Sequence, residues 1–400
     1  MRRFPLVARP RPAALPLADR IAELTALATA AAGQTESGRR LAAAATVQNR
    51  AALIASDCGL PELARVLCRQ QLQACLRAHP LNAQTAPYAM EPAVNLARLL
   101  IRQGDGARAH QLLAALYIAA TEHTSADVDG IAVDFRELAP DAELQHALRR
   151  AVWTALLADG TRALAQAGRW QEAVEQVRLH RGVGLRLLDG RQIAIVARSL
   201  AADTDAALSL VDGTEPVDRW EETVAVALKA LCLTIGARPT ERVGVELVRS
   251  YREMEFTPGL GLFHTQLGLT VLDLTEARDD TVAAGIVSDA ITSQDGYVAR
   301  AVLAHPRCSV RLNGAERQAL EAVVEAAGLH AGVIPYALMA DLHAAVDLAR
   351  ASIDPNPLAT DVPPALLDEE QSVEDNSWQR TEDGQPGQVR QLDKEAAHHA

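Results

Sequence analysis

Lysine is nearly missing from this chain: Lys229 and Lys394 stand against 37 arginines in 400 residues. That skew fits a GC-rich coding sequence better than a function. Aromatic residues make up only 3%, and runs of β-branched residues are few, so a large sheet is not expected. No run approaches the ~20 uncharged apolar residues of a membrane span. The most apolar candidate, Thr223–Ala237, is broken by Lys229. Familiar catalytic and nucleotide motifs are lacking as well: no GxGxxG follows a strand, and there is no GxxxxGK[ST], HExxH or GxSxG. The five cysteines form no CxxC pair and have no histidine partner. Cys58, Cys68 and Cys75 are read as small buried apolar residues, and neither metal nor cofactor is expected.

Charge narrows the function classes further. The formal net charge is −12, which argues against nucleic-acid or anionic-membrane binding, since both require a concentrated basic face. The first hundred residues contain no compact basic recognition helix. The start is basic and interrupted by prolines, without the continuous apolar stretch of a signal peptide. A cytoplasmic setting with reduced thiols is therefore expected.

What the chain has in quantity is alanine and leucine, the strongest helix formers, within 49% hydrophobic content. The pattern predicts an all-α protein with four segments. Residues 1–16 form an extended basic arm, 17–124 N-terminal helical hairpins, 139–353 a helical-repeat body and 354–400 an acidic tail. Residues 351–400 carry 11 acidic and 3 basic side chains, too few apolar groups to offset ordering entropy, so the tail is expected to be disordered. Helices are expected near 17–33, 37–57, 61–79, 87–103, 106–123, 141–167, 170–181, 186–202, 217–235, 240–254, 259–278, 281–293, 313–328 and 335–352. Ser125–Leu138 reads as a loop or short strand, and Ala304–Leu312 as a connector. The glycines from Gly259 to Gly268 are expected to permit close helix contact.

Three turns share one shape: Asp57-Cys-Gly-Leu-Pro-Glu-Leu-Ala, Gln103-Gly-Asp-Gly-Ala-Arg-Ala and Ala167-Gly-Arg-Trp-Gln-Glu-Ala. Each closes a helix with glycine, whose left-handed conformation costs little there. Each then places a small residue (Ala64, Ala109, Ala173) early in the next helix. Here the chain resembles tetratricopeptide repeats, most clearly over Leu164–Val177, with more degenerate units at Ala202–Val211, Ala237–Val248 and Ala277–Val287. Turn spacing is irregular, so the resemblance implies an irregular α-solenoid of stacked helical hairpins rather than a regular superhelix.

In such hairpins the first helices line the concave face. Aligning the turns puts Asn49, Asn95 and Asp159 at one position, nine residues before the turn. Arg98 and Arg162 then lie one helical turn further along. The resemblance implies that this ladder clamps peptide backbones or terminal carboxylates, which arginine forks suit. The expected function is a non-catalytic adaptor, accessory subunit or regulator that binds a protein or peptide partner through Asn49, Asn95, Arg98, Asp159 and Arg162. The alternative is an all-α enzyme or enzyme subunit acting on a small molecule in a pocket between hairpins; His343 and Asp347, four apart, could pair as an oriented base but without a third group nearby are read as a surface pair. A third reading is a peptide- or metabolite-sensing regulator without a DNA-binding element.

Overall fold

The computed structural model describes residues 3–77, 83, 85–255, 257–275 and 280–353. The expected tail at 354–400 lies outside the described residues, as do positions 78 and 79 of the expected third helix. Residues 3–16 carry no regular structure. The chain then folds as α1 (Leu17–Ala32), α2 (Ser37–Asp57), α3 (Pro61–Arg77), α4 (Ala86–Arg102) and α5 (Gly106–Glu122), each packed against the next.

Ser125–Leu138 departs from helix, and it does so as a two-stranded hairpin. Strands β1 (Ser125–Val128) and β2 (Ile131–Asp134) pair antiparallel around Asp129-Gly130, both with positive φ, followed by one helical turn, α6 (Phe135–Leu138). Val128, Val133 and Phe135 are buried, so the alternation seen in the sequence points one face of the ribbon into the core.

The single helix expected over 141–167 is instead α7 (Ala142–Ala155), a wide π turn (Leu156–Gly160) and α8 (Thr161–Gln166). A Cβ at Gly160 would press on Leu156, so the glycine lets the widened turn pass close to α5. The body continues with α9 (Trp170–Leu179), α10 (Asp189–Leu200), α11 (Thr204–Asp212), α12 (Arg219–Ile235), α13 (Glu241–Glu253), α14 (Gly261–Leu274), α15 (Asp280–Ser293), α16 (Gly296–Ala304), α17 (Pro306–Ser309), α18 (Gly314–Ala326) and α19 (Tyr336–Ile353). Three of these, α11, α16 and α17, are additional to the helices expected from the sequence. The α10 helix starts three residues later than expected because Glu221 captures the preceding segment, accepting from the Leu187 amide (2.9 Å) and from Arg186.

One bonding pattern unites the hairpin turns. Gly59, Gly104, Gly168, Ala202 and Ala237 all have positive φ. In each case the next residue donates its N–H to the carbonyl five positions back: Leu60 to Ala55, Asp105 to Leu100, Arg169 to Leu164, Asp203 to Arg198 and Arg238 to Leu233. This is the Schellman closure, which satisfies the carbonyls a helix end leaves free. Ala64, Ala109, Ala173 and Ala207 are completely buried beside these turns, where a larger side chain would push the paired helices apart. Gly106 brings α5 closer still, because a Cβ there would collide with the Ala163 carbonyl. Gly268 does the same for α14, whose Cβ position is filled by the Tyr251 ring.

Two large cores result. One joins α1–α7 and the β-hairpin with α19, which packs on α1, α2 and α3. The other joins α10–α18, and Phe4 and Leu6 of the N-terminal arm are buried within it. No helix among the described residues is long and apolar enough to cross a membrane.

Candidate functional site

Four of the helices that begin hairpins turn one face inward. Residues of α2, α4, α8 and α14 line a cavity of about 670 Å3, within the size range of small-ligand and peptide sites. Asn49, Asn95, Arg98, Asp159 and Arg162 all line it.

Four of the five form a continuous hydrogen-bonded row. Glu91 accepts from the Asn49 amide, and Asn95 Nδ2 donates to Asn49 Oδ1 at 2.8 Å. Arg98 Nη1 then donates to Asn95 Oδ1 at 3.1 Å, while Nε and Nη2 fork onto Asp159 Oδ2 at 3.0 and 2.9 Å. The row crosses three hairpins, and the π turn carries Asp159 to its end. Arg162 does not join it. Its Nη2 reaches Asp189 Oδ1 at the start of α10, 3.3 Å away. Burial raises the Glu91 carboxyl above its ordinary value, and the Asn49 bond and the Arg98 charge only partly offset this.

The far wall of the cavity is the chain's own N-terminal arm, with Arg3, Leu6, Arg9 and Arg11 among the lining residues. The arm is held as a peptide would be. Completely buried Gln192 accepts from the Leu6 N–H (2.8 Å) and donates to the Leu6 carbonyl (2.7 Å), and also bonds the Leu187 carbonyl (2.7 Å). Arg9 pairs with buried Asp189 and Arg3 with Asp273. The Arg11 N–H bonds the Gly259 carbonyl at 3.1 Å, and Ala14 is bonded through both its N–H (to Asp295, 3.0 Å) and its carbonyl (from Gly296, 2.9 Å). Asp189-Gly190-Arg191-Gln192 is thus an arm receptor that the linear sequence presents only as an ordinary helix start. A carboxylate and an amide three residues apart inside an apolar stretch were the available signal.

A second cavity of about 790 Å3 adjoins the first and shares Arg11, Ser56, Leu99, Arg102, Leu262 and Gln266 with it. At its base buried Asp57 gathers Arg20 (2.6 Å), Arg102 (2.9 Å) and the Tyr297 hydroxyl. The loop before α19 is tied to the same place, His330 N–H to the Asp57 carbonyl (2.7 Å) and Gly332 N–H to the Cys58 carbonyl (2.8 Å).

Histidine–carboxylate chemistry lies elsewhere. Asp347 pairs with Arg350 (2.9 Å). Buried His305 bonds Asp273 at 2.9 Å, and His264 contacts Tyr251 at 3.2 Å, but none of these residues lines either cavity. The five thiols are free and buried, and burial pushes Cys68 and Cys75 up to about 12. No three His, Cys, Asp or Glu side chains are grouped to hold a metal ion among the described residues.

Fold and site together define a class: stacked helical hairpins around a polar, arginine-lined interior. The chain matches no protein-family model, no curated protein and no solved structure.

Proposed function

We propose that this protein is a tetratricopeptide-like adaptor or regulator that binds an extended peptide segment of a partner along its inner face. Gly168, Ala202 and Ala237 follow one another at 34 and 35 residues, the interval of that repeat class, which supports the tetratricopeptide reading for the middle of the chain. The observation that carries the function is the arm. Its Leu6 backbone is read by a side-chain amide and its arginines by carboxylates, while the opposite wall presents an amide and guanidinium row of the same chemistry. Asn95 and Arg98 would exchange their mutual contacts for those of an incoming peptide, because amide and guanidinium groups suit backbone and carboxylate oxygens alike.

The test begins with peptides selected on the full-length protein from a random library. Their affinities are measured by fluorescence anisotropy for the wild type and for an Asn95→Ala, Arg98→Ala double variant. Loss of charge-assisted hydrogen bonds of about 1.5–3 kcal/mol predicts binding weaker by about tenfold or more. Equal affinity for both proteins would refute the assignment.

A further inference from the structure

The two adjoining cavities are basic inside a chain whose net charge is −12. The first is lined by Arg3, Arg9, Arg11, Arg98, Arg102 and Arg162, of which Arg3, Arg9, Arg98 and Arg162 are paired with Asp273, Asp189, Asp159 and Asp189, so its unbalanced charge lies toward Arg11 and Arg102. In the second, Arg11, Arg102 and Arg300 face a single carboxylate, Asp57, which is already occupied by Arg20, Arg102 and Tyr297. Arg11 instead stacks over the Tyr297 ring, its guanidinium carbon 3.9 Å from the centroid. Arg300 contacts His330 Nε2. A histidine side chain carries no negative charge and so supplies no countercharge to Arg300. No carboxylate among the described residues pairs with Arg11 or Arg300.

We infer that the corner formed by Arg11, Arg102 and Arg300 is a binding site for a compact multivalent oxyanion, a small molecule bearing phosphate or clustered carboxylate groups. Three features fit that class. Guanidinium forks match both oxyanion geometries. Each arginine is held from behind, by Tyr297, by Ser56 with Asp57, or by His330, so little side-chain entropy is lost on binding. Finally, an excess of positive charge lining a cleft concentrates the field on an entering anion.

The three arginines come from three separate parts of the fold: the arm, α4 and α16. An anion bridging them ties the arm to the helices on either side of it. The site therefore goes beyond peptide binding, because its occupancy fixes the wall of the cavity where the partner segment would lie.

The experiment uses the full chain at low salt, titrated calorimetrically with inorganic pyrophosphate in one arm and citrate in another. Saturable one-to-one binding of at least one probe is expected, together with slower amide hydrogen exchange over residues 8–14. Preference for pyrophosphate assigns the ligand to phosphate esters and preference for citrate to polycarboxylates. Arg11→Gln and Arg300→Gln, both at partly exposed positions, should each weaken binding about tenfold or more. Arg65→Gln, which removes an outer pair with Asp129, should leave it unchanged. Absence of binding by both probes at millimolar concentration overturns the inference. So does equal loss in Arg65→Gln, or no loss in Arg300→Gln with the fold intact by circular dichroism.

Discussion

Replacing Gln192 by alanine should release the N-terminal arm without unfolding the helices. Gln192 is completely buried and makes three hydrogen bonds at 2.7–2.8 Å, two to the Leu6 backbone and one to the Leu187 carbonyl. At a net contribution of about 1 kcal/mol each, the substitution removes about 3 kcal/mol from arm docking, a factor of about 100–200 in the docking equilibrium. Amide exchange at Leu6 reads that equilibrium directly, because its N–H donates to Gln192 Oε1. The Leu6 amide should exchange about 100-fold faster in Gln192→Ala, while amides in the middle of α12 keep their wild-type rates. Gln192→Glu keeps an acceptor for the Leu6 N–H but sets carboxylate oxygens against two carbonyls, so it should release the arm as well. If Leu6 exchange changes by less than about threefold in Gln192→Ala, the arm is held by its other contacts, the burial of Phe4 and Leu6 and the bonds of Arg3, Arg9, Arg11 and Ala14, and the reasoning fails. If α12 exchange rises in parallel, the arm is part of the global cooperative unit rather than a separable element.

Other perturbations follow from the same geometry. Asp57→Ala strands buried Arg20 without a counterion and should cost about 3–5 kcal/mol in urea unfolding. The Arg20→Ala, Asp57→Ala double variant should lose clearly less than the two single losses combined, and strict additivity would disprove the pairing. Gly106→Ala drives a methyl into the Ala163 carbonyl and should destabilise by about 1–3 kcal/mol, whereas Gly104→Ala, with open space around it but a positive φ, should cost less, about 1 kcal/mol. For Glu221, burial raises the carboxyl, but Arg186 and the amides of Leu187, Asp218 and Val217 outweigh it and leave the folded value below the ordinary one. A depressed folded value means the contribution is complete above the unfolded value of about 4.3 and is lost as pH falls through the lower folded value. The urea midpoint should thus hold between pH 7 and 5 and fall below about pH 4. Glu221→Gln should flatten that acid limb, and an unchanged limb would remove Glu221 from the account.

The parts of the fold legible in sequence are those fixed by local chemistry. Gly59, Gly104 and Gly168 announce left-handed helix ends because glycine is the cheapest residue there. Ala202 and Ala237 adopt the same conformation without glycine; there the repeat resemblance over Ala202–Val211 and Ala237–Val248 marks the turns, although the helical pattern alone gives no separate α11. Asn95 and Asp159 stand nine residues before the left-handed Gly104 and Gly168, whereas Asn49 stands ten before Gly59, so the alignment on Cys58 is one residue out; Asn49, Asn95, Arg98 and Asp159 meet all the same. Arg162 follows the same offset but bonds Asp189, since that carboxylate arrives from a later hairpin through a contact no local pattern encodes. The π turn at Leu156–Gly160 and the docking of the arm on Gln192 depend on packing between distant segments, and composition carries no trace of either.

The packing of α19 on α1, α2 and α3 gives this stack a property that open solenoids lack. Where units touch only their neighbours, hairpins can be gained or lost one at a time and the terminal ones fray first. Here α1 and α19, the first and last helices among the described residues and more than 300 residues apart in sequence, bury a common core, and bringing them together costs about 5 kcal/mol of chain entropy. An added or deleted hairpin would carry α19 out of reach of its seat and forfeit the burial that offsets this cost. The number of hairpins is therefore locked, and the interior they enclose can be retuned by side-chain substitution but not by changing its length.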